Sequence, residues 1–162
     1  MMKIKTKGSN KAVRKLVELA TSYYAEKLMG KRTINNLEIN INLKRNFMRD
    51  TGCEGTAIIW EDWERFRPRE FLIELDSSVK IRNLLITLAH EMVHVKQWAK
   101  NEMYEYCKSD EVRFNKIKFN MSDINYWDHP WEIEAFGRQL GLFVRFCEDN
   151  GFADREDMME EA

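Results

Sequence analysis

The feature that most constrains this chain is the segment from about Val79 to Asn101, where Ile81, Leu84, Leu85, Leu88, Met92, Val95 and Trp98 recur at three- and four-residue spacing. That period predicts an α-helix of about five turns, with Ser77 and Ser78 as candidate N-caps. A helix this apolar needs other elements to cover it, and the rest of the chain reads as that cover. Residues 10–29 place Val13, Leu16, Val17, Leu19, Ala20, Tyr23, Tyr24 and Leu28 on one helical face, with Gly30 as a stop. Leu37, Ile39 and Ile41 then alternate with polar residues as in a half-buried strand. Residues 56–60 and 71–75 are the next two strands, separated by turn residues. Connections too short for helical crossovers predict that these three strands pair antiparallel. Residues 102–129 have weak periodicity and read as a long irregular connection. Pro130 suits the first position of a last helix running to about Asn150, with Gly151 just past its end.

The expected fold is therefore α+β: an N-terminal helix, a small mostly antiparallel sheet, a central helix and a C-terminal helix. It forms one domain over residues 1–151, followed by an acidic flexible tail over 152–162. With 162 residues, 44% hydrophobic and 33% charged, the chain has the composition of a globular protein and not of a disordered one. No apolar stretch approaches the roughly 18 residues of a membrane span, and the first residues lack the apolar core of a signal peptide, so a cytoplasmic location and no membrane partner are expected. Residues 1–50 carry 12 basic and 4 acidic side chains, yet the whole chain sums to −1, which argues against a dedicated nucleic-acid coat. Cys53, Cys107 and Cys147 are odd in number and far apart, and read as buried free thiols.

Chemistry concentrates at His90-Glu91-Met92-Val93-His94. Histidines four apart project from one face of a helix one turn apart, so both imidazoles can reach the same tetrahedral Zn²⁺. Glu91 emerges beside them, where its carboxylate can reach a water rather than the metal and serve as general base. The chain has only three histidines. That two of them fall into this pattern by accident has odds on the order of one in a few hundred. A catalytic zinc needs a third protein ligand, and His129, Glu132 and Glu134 are the candidates downstream. On a helix starting at Pro130, Glu132 and Glu134 point about 200° apart, so only one can face the metal. Glu134 leads a polar face and would pair with Arg138. Glu132 leads the face of Ala135, Phe136, Gln139 and Phe143, which turns inward, and is the preferred ligand.

The run from Leu88 to Trp98, followed by Glu132-Ile-Glu-Ala135, resembles the zincin metallopeptidases, in particular gluzincin-type proteins whose third ligand is a Glu in a downstream Glu-x-x-Ala helix. It is also similar to the SprT-like family and to small phage-encoded metallopeptidases, over roughly residues 70–145. The resemblance implies His90, His94 and Glu132 as zinc ligands and Glu91 as catalytic base, in an enzyme that hydrolyses peptide bonds of a protein or peptide substrate. SprT-like proteins use a third histidine closer to the metal helix, which this chain lacks. Tyr126 and His129, just before the Glu132 helix, are the candidate donors to the oxyanion. Trp127 and Trp131 are expected to pack against the metal helix, Gln97 and Trp98 to brace the site, and Asp128 to hold a ligand imidazole or cap the last helix. The strand 71–75 would be the edge against which a peptide pairs. Two other readings remain open at this stage: a metal-stabilised binding protein without proteolysis, and a DNA-associated protease using Lys11, Arg14 and Lys15.

Overall fold

The structure is a computed structural model, which describes residues 1–61 and 66–160. The chain opens with strand β1 (Lys3–Lys7), helix α1 (Lys11–Leu28), a single helical turn α2 (Lys31–Ile34) and strand β2 (Glu38–Lys44). Helix α3 (Phe47–Thr51), strands β3 (Gly55–Ile59) and β4 (Glu70–Asp76) and the central helix α4 (Ile81–Ala99) follow. Three short strands, β5 (Met103–Glu105), β6 (Glu111–Phe114) and β7 (Ile117–Asn120), lead through two 3-10 turns to the last long helix, α5 (Pro130–Asp149). The α+β class read from the sequence is what the chain adopts, and none of the helices among the described residues is long and apolar enough to cross a membrane.

The main sheet has the order β1-β2-β4-β3 and is mixed, not mostly antiparallel. β1 pairs parallel with β2, β2 pairs parallel with β4, and only β3 runs antiparallel to β4. The expectation failed because it took sequence neighbours to be sheet neighbours. The chain leaves β2, makes β3 on the far side of β4 and only then enters β4, and this excursion over residues 45–69 serves as the crossover that a parallel pair requires. β4 is consequently internal, and the exposed edge beside the central helix is β3, not strand 71–75.

Register places the apolar residues of neighbouring strands on one face: Ile39 opposite Phe71, Ile41 opposite Ile73 and Leu43 opposite Leu75, all buried. Helices α1 and α4 cover that face through Val17, Ala20, Tyr24, Leu84, Leu85 and Leu88. Tyr24 is completely buried, and its hydroxyl donates to the Leu85 carbonyl at 3.0 Å, locking α1 to α4. The predicted caps Ser77 and Ser78 do not cap α4, whose N-cap is Lys80 with no side-chain hydrogen bond. Instead Asp76 turns the chain: Met48 N–H and Ser78 N–H donate to its carboxylate at 2.8 and 2.7 Å.

Residues 102–129, expected to be irregular, hold the antiparallel meander β5-β6-β7, anchored by buried Met103, Val112 and Phe114. α5 ends in a Schellman arrangement: Gly151 adopts φ +72°, Phe152 N–H donates to the Cys147 carbonyl at 2.7 Å, and Gly151 N–H donates to Glu148. The acidic end does not hang loose from Phe152. Met158 is buried in the main core, and its carbonyl accepts from Arg82 at 3.1 Å. None of the three cysteines forms a disulfide, but only Cys147 is buried; Cys53 is half-buried and Cys107 exposed.

Candidate metal centre

α4 and α5 pack side by side, and their contact brings His90, His94 and Glu132 together. Among the described residues these three form the group whose ligand atoms gather within 4.8 Å, and all three are buried. The imidazole Nε2 atoms lie 3.2 Å apart, His90 Nε2 lies 3.2 Å from Glu132 Oε2, and His94 Nε2 lies 3.4 Å from Glu132 Oε1. Tetrahedral coordination with bonds of 2.0–2.1 Å separates ligand atoms by about 3.3 Å. The separations are of this size, with each carboxylate oxygen facing one imidazole, so the group can hold a metal ion.

Hydrogen bonding at the far side of each ring supports the same conclusion. His90 Nδ1 lies 2.9 Å from Gln139 Oε1, and His94 Nδ1 lies 2.8 Å from Gln97 Oε1. An amide oxygen only accepts, so each Nδ1 carries the proton, and the two Nε2 lone pairs converge on each other and on a carboxylate. Three acceptors facing one point in a buried site can be satisfied by a cation. In the other protonation state, with the imidazoles positively charged and donating, they more than reverse the upward push of burial on the Glu132 carboxyl and hold it well below the usual carboxylate range. Burial alone pushes the His94 pKa down, but Glu132, Glu91 and Gln97 outweigh it and leave the pKa raised. A buried His-His-Glu group of this shape can hold a metal ion.

Glu134 does not join the ligands. Lys96 Nζ donates to it at 2.7 Å, Gln97 Nε2 at 2.9 Å and Arg138 Nε at 3.1 Å, which includes the Arg138 pairing anticipated from the sequence. Lys96 is itself buried and also meets Glu102 at 2.9 Å. Glu134 thus fixes Gln97, which in turn fixes His94. The buried charges of Lys96 and Glu134 are tolerable because each is paired and hydrogen-bonded. On the other side Gln139 holds His90, a partner that sequence reasoning missed although it lies on the same inward face as Glu132. Asp128, proposed for that task, is exposed.

Glu91 stands beside the ligand group without joining it. It is 6% exposed and lines two clefts, of about 420 and 340 Å³, that meet at His90 and Glu91. Burial raises its carboxyl above the ordinary value, opposed by His94 and His90, helped by Glu132 and opposed again by the backbone N–H of Ala57 on β3. β3 comes this close because of Gly55: a Cβ there would sit 2.6 Å from Thr87 Cγ2 and 2.9 Å from Leu75 Cδ2.

Tyr126 stands at the rim. Its hydroxyl donates to Glu132 Oε2 at 3.0 Å, and burial, reinforced by Glu132, raises its pKa. His129 is buried against Trp131, with ring centroids 4.6 Å apart, and its Nε2 has no hydrogen-bond partner among the described residues. Its backbone carbonyl accepts from Glu132 N–H and Ile133 N–H at 3.0 Å, so it starts α5 and sets the direction of Glu132. Of the two tryptophans expected to pack against the metal helix, Trp131 is buried and its carbonyl accepts from Gln97 of α4, but Trp127 is 66% exposed and leans on Phe136.

Compared with family models, curated proteins and solved structures, the chain matches none.

Proposed function

We propose that this chain is a zinc-dependent metallopeptidase that hydrolyses peptide bonds in a protein or peptide substrate. The observation that carries the reading is the pairing of a buried His90-His94-Glu132 group, its ligand atoms within 4.8 Å of one another, with a separate carboxylate, Glu91, that lines both clefts. Two imidazoles and one carboxylate suit zinc, and three protein ligands leave the fourth position that a catalytic site requires. Zinc held there supplies a Lewis acid that polarises the scissile carbonyl and eases deprotonation of water. Glu91 accepts the proton of the attacking water and passes it to the departing amine. The Tyr126 hydroxyl, already aimed at Glu132, donates to the developing oxyanion. His129 orients Glu132 and walls the cleft. β3, the edge strand beside α4, offers its backbone N–H and C=O groups to an extended peptide.

A peptidase assay on zinc-loaded protein tests the reading. Wild type should cut an unfolded protein substrate, and Glu91→Gln should lower turnover by at least about 100-fold while keeping its zinc. Wild-type turnover in Glu91→Gln would contradict it.

A further inference from the structure

We infer that Glu105 of β5 selects a basic side chain in the substrate, on the His94 side of the bond that is cut; the inference rests on the peptidase reading above. Glu105 lines the cleft that holds His94, together with Ala57 of β3 and Trp98 of α4. The same three residues line a second, shallower depression running out along Ala57–Ile59 of the edge strand. Glu105 therefore stands where a peptide laid along β3 would turn alternate side chains into the protein.

Its carboxylate is half-buried and unanswered. No side chain among the described residues hydrogen-bonds or pairs with it, and His94 is the one charge that bears on it. Of the neighbouring acids, Glu132 meets the imidazoles, Glu134 pairs with Lys96, Glu54 accepts from the Thr87 hydroxyl at 3.1 Å, and Glu91 is met by the backbone N–H of Ala57. Burial without a partner raises the Glu105 pKa, the strain that an arriving cation relieves. Trp98 supplies the other half of a lysine or arginine site, an apolar wall for the aliphatic stem. The cleft on the His90 side carries Glu54, which accepts from the Thr87 hydroxyl at 3.1 Å, and shares Glu91 with the His94 side, so Glu105 is the carboxylate that belongs to the His94 side and has no donor of its own among the described residues.

The experiment has two arms. Zinc-loaded wild type, Glu105→Gln and Glu105→Lys digest a randomised decapeptide library, and the new termini are sequenced; in parallel, Glu91→Gln with and without Glu105→Gln is used to capture peptides from the same library. Thermal unfolding and zinc content of the Glu105 variants should match wild type. Lys and Arg should be enriched at one position flanking the cut, by about tenfold or more over norleucine-like Met, with the enrichment abolished in Glu105→Gln and turned toward Asp and Glu in Glu105→Lys. Cleavage without a basic preference, or a preference that survives Glu105→Gln, overturns this inference and leaves the peptidase reading standing. Capture of basic peptides that depends on Glu105, with no cleavage by wild type, sustains the binding preference and sinks the peptidase reading. Neither cleavage nor capture overturns both.

Discussion

The two helices that build the metal centre are held in opposite ways. α4 buries 14 of its 19 residues, without a break from Leu88 to Ala99, whereas α5 buries only 6 of 20 and leaves Ile133, Phe136, Leu140 and Val144 at least 40% exposed. On α4 the ligands His90 and His94 and the carboxylate Glu91 are positioned by the core itself, with the sheet on one side and α1 and α5 on others. On α5 the third ligand depends on one inward face and on the polar ties at Glu134 and Gln139. Two ligands belong to the core of the domain, and the third belongs to a helix docked against it.

The largest expected effect breaks the comparison at its packing. Leu88→Ala, in a residue with no exposure, should cost about 2–5 kcal/mol through lost burial and the cavity left behind, whereas Leu140→Ala on the outer face of α5 should stay within about 0.5 kcal/mol. Urea unfolding of the two variants reads the difference directly; equal losses would mean that α5 is covered in solution.

A smaller effect separates the two supporting amides. Gln97 is completely buried and tied to Trp131 and Glu134 as well as to His94, while Gln139 is half-buried and, among the described residues, its side chain hydrogen-bonds to His90 alone. Gln97→Leu should weaken zinc binding by about 100-fold and Gln139→Leu by about tenfold, measured by competition with a chromophoric chelator. The reverse order would place the rigid support on α5.

The smallest effect lies at the turn that leads into α4. Burial pushes the Asp76 carboxyl up, but hydrogen bonds from Met48, Ser78 and Asn46 outweigh it and leave the folded-state pKa below the ordinary value. A depressed carboxylate adds stability that is present above the unfolded pKa of about 3.9 and is lost as pH falls through the lower folded value. Asp76→Asn should therefore cost about 1–2 kcal/mol at pH 7, and the gap to wild type should close as the pH falls below about 4 in denaturant unfolding series. A gap that persists at pH 2–3 would assign the loss to shape and not to charge.

The same contrast explains what was readable in the sequence. The long helices were legible because each repeats an apolar face for four or five turns: Val79–Asn101 became Ile81–Ala99, and the helix from Pro130 to about Asn150 became Pro130–Asp149. Face geometry on α5 set Glu132 apart from Glu134, and Glu132 is the one gathered with His90 and His94, while Glu134 reaches α4 elsewhere, at Lys96 and Gln97. Pairing was not legible. Nothing local in Leu37–Ile41 states that its neighbour is β4 rather than β3, since parallel partners are chosen by the buried face that several elements share. β1 was invisible because Lys3, Lys5 and Lys7 surround only Ile4 and Thr6, the composition of a solvent-facing edge strand. The meander β5-β6-β7 was missed because strands of three or four residues carry too little alternation to register. Gln139 and Glu105 escaped notice for another reason: an amide that orients a ligand and a carboxylate left unpaired are recognisable only once their surroundings are in place.

The most direct test of the account is zinc content by elemental analysis on purified wild type, Glu132→Ala and His129→Ala. The geometry predicts about one zinc per chain in wild type and in His129→Ala, and a loss of at least about tenfold in affinity for Glu132→Ala, with its metal removed by mild chelation. No zinc in the wild type, or a Glu132→Ala protein that holds zinc as firmly as wild type, would contradict the central claim that α4 and α5 together close a metal site.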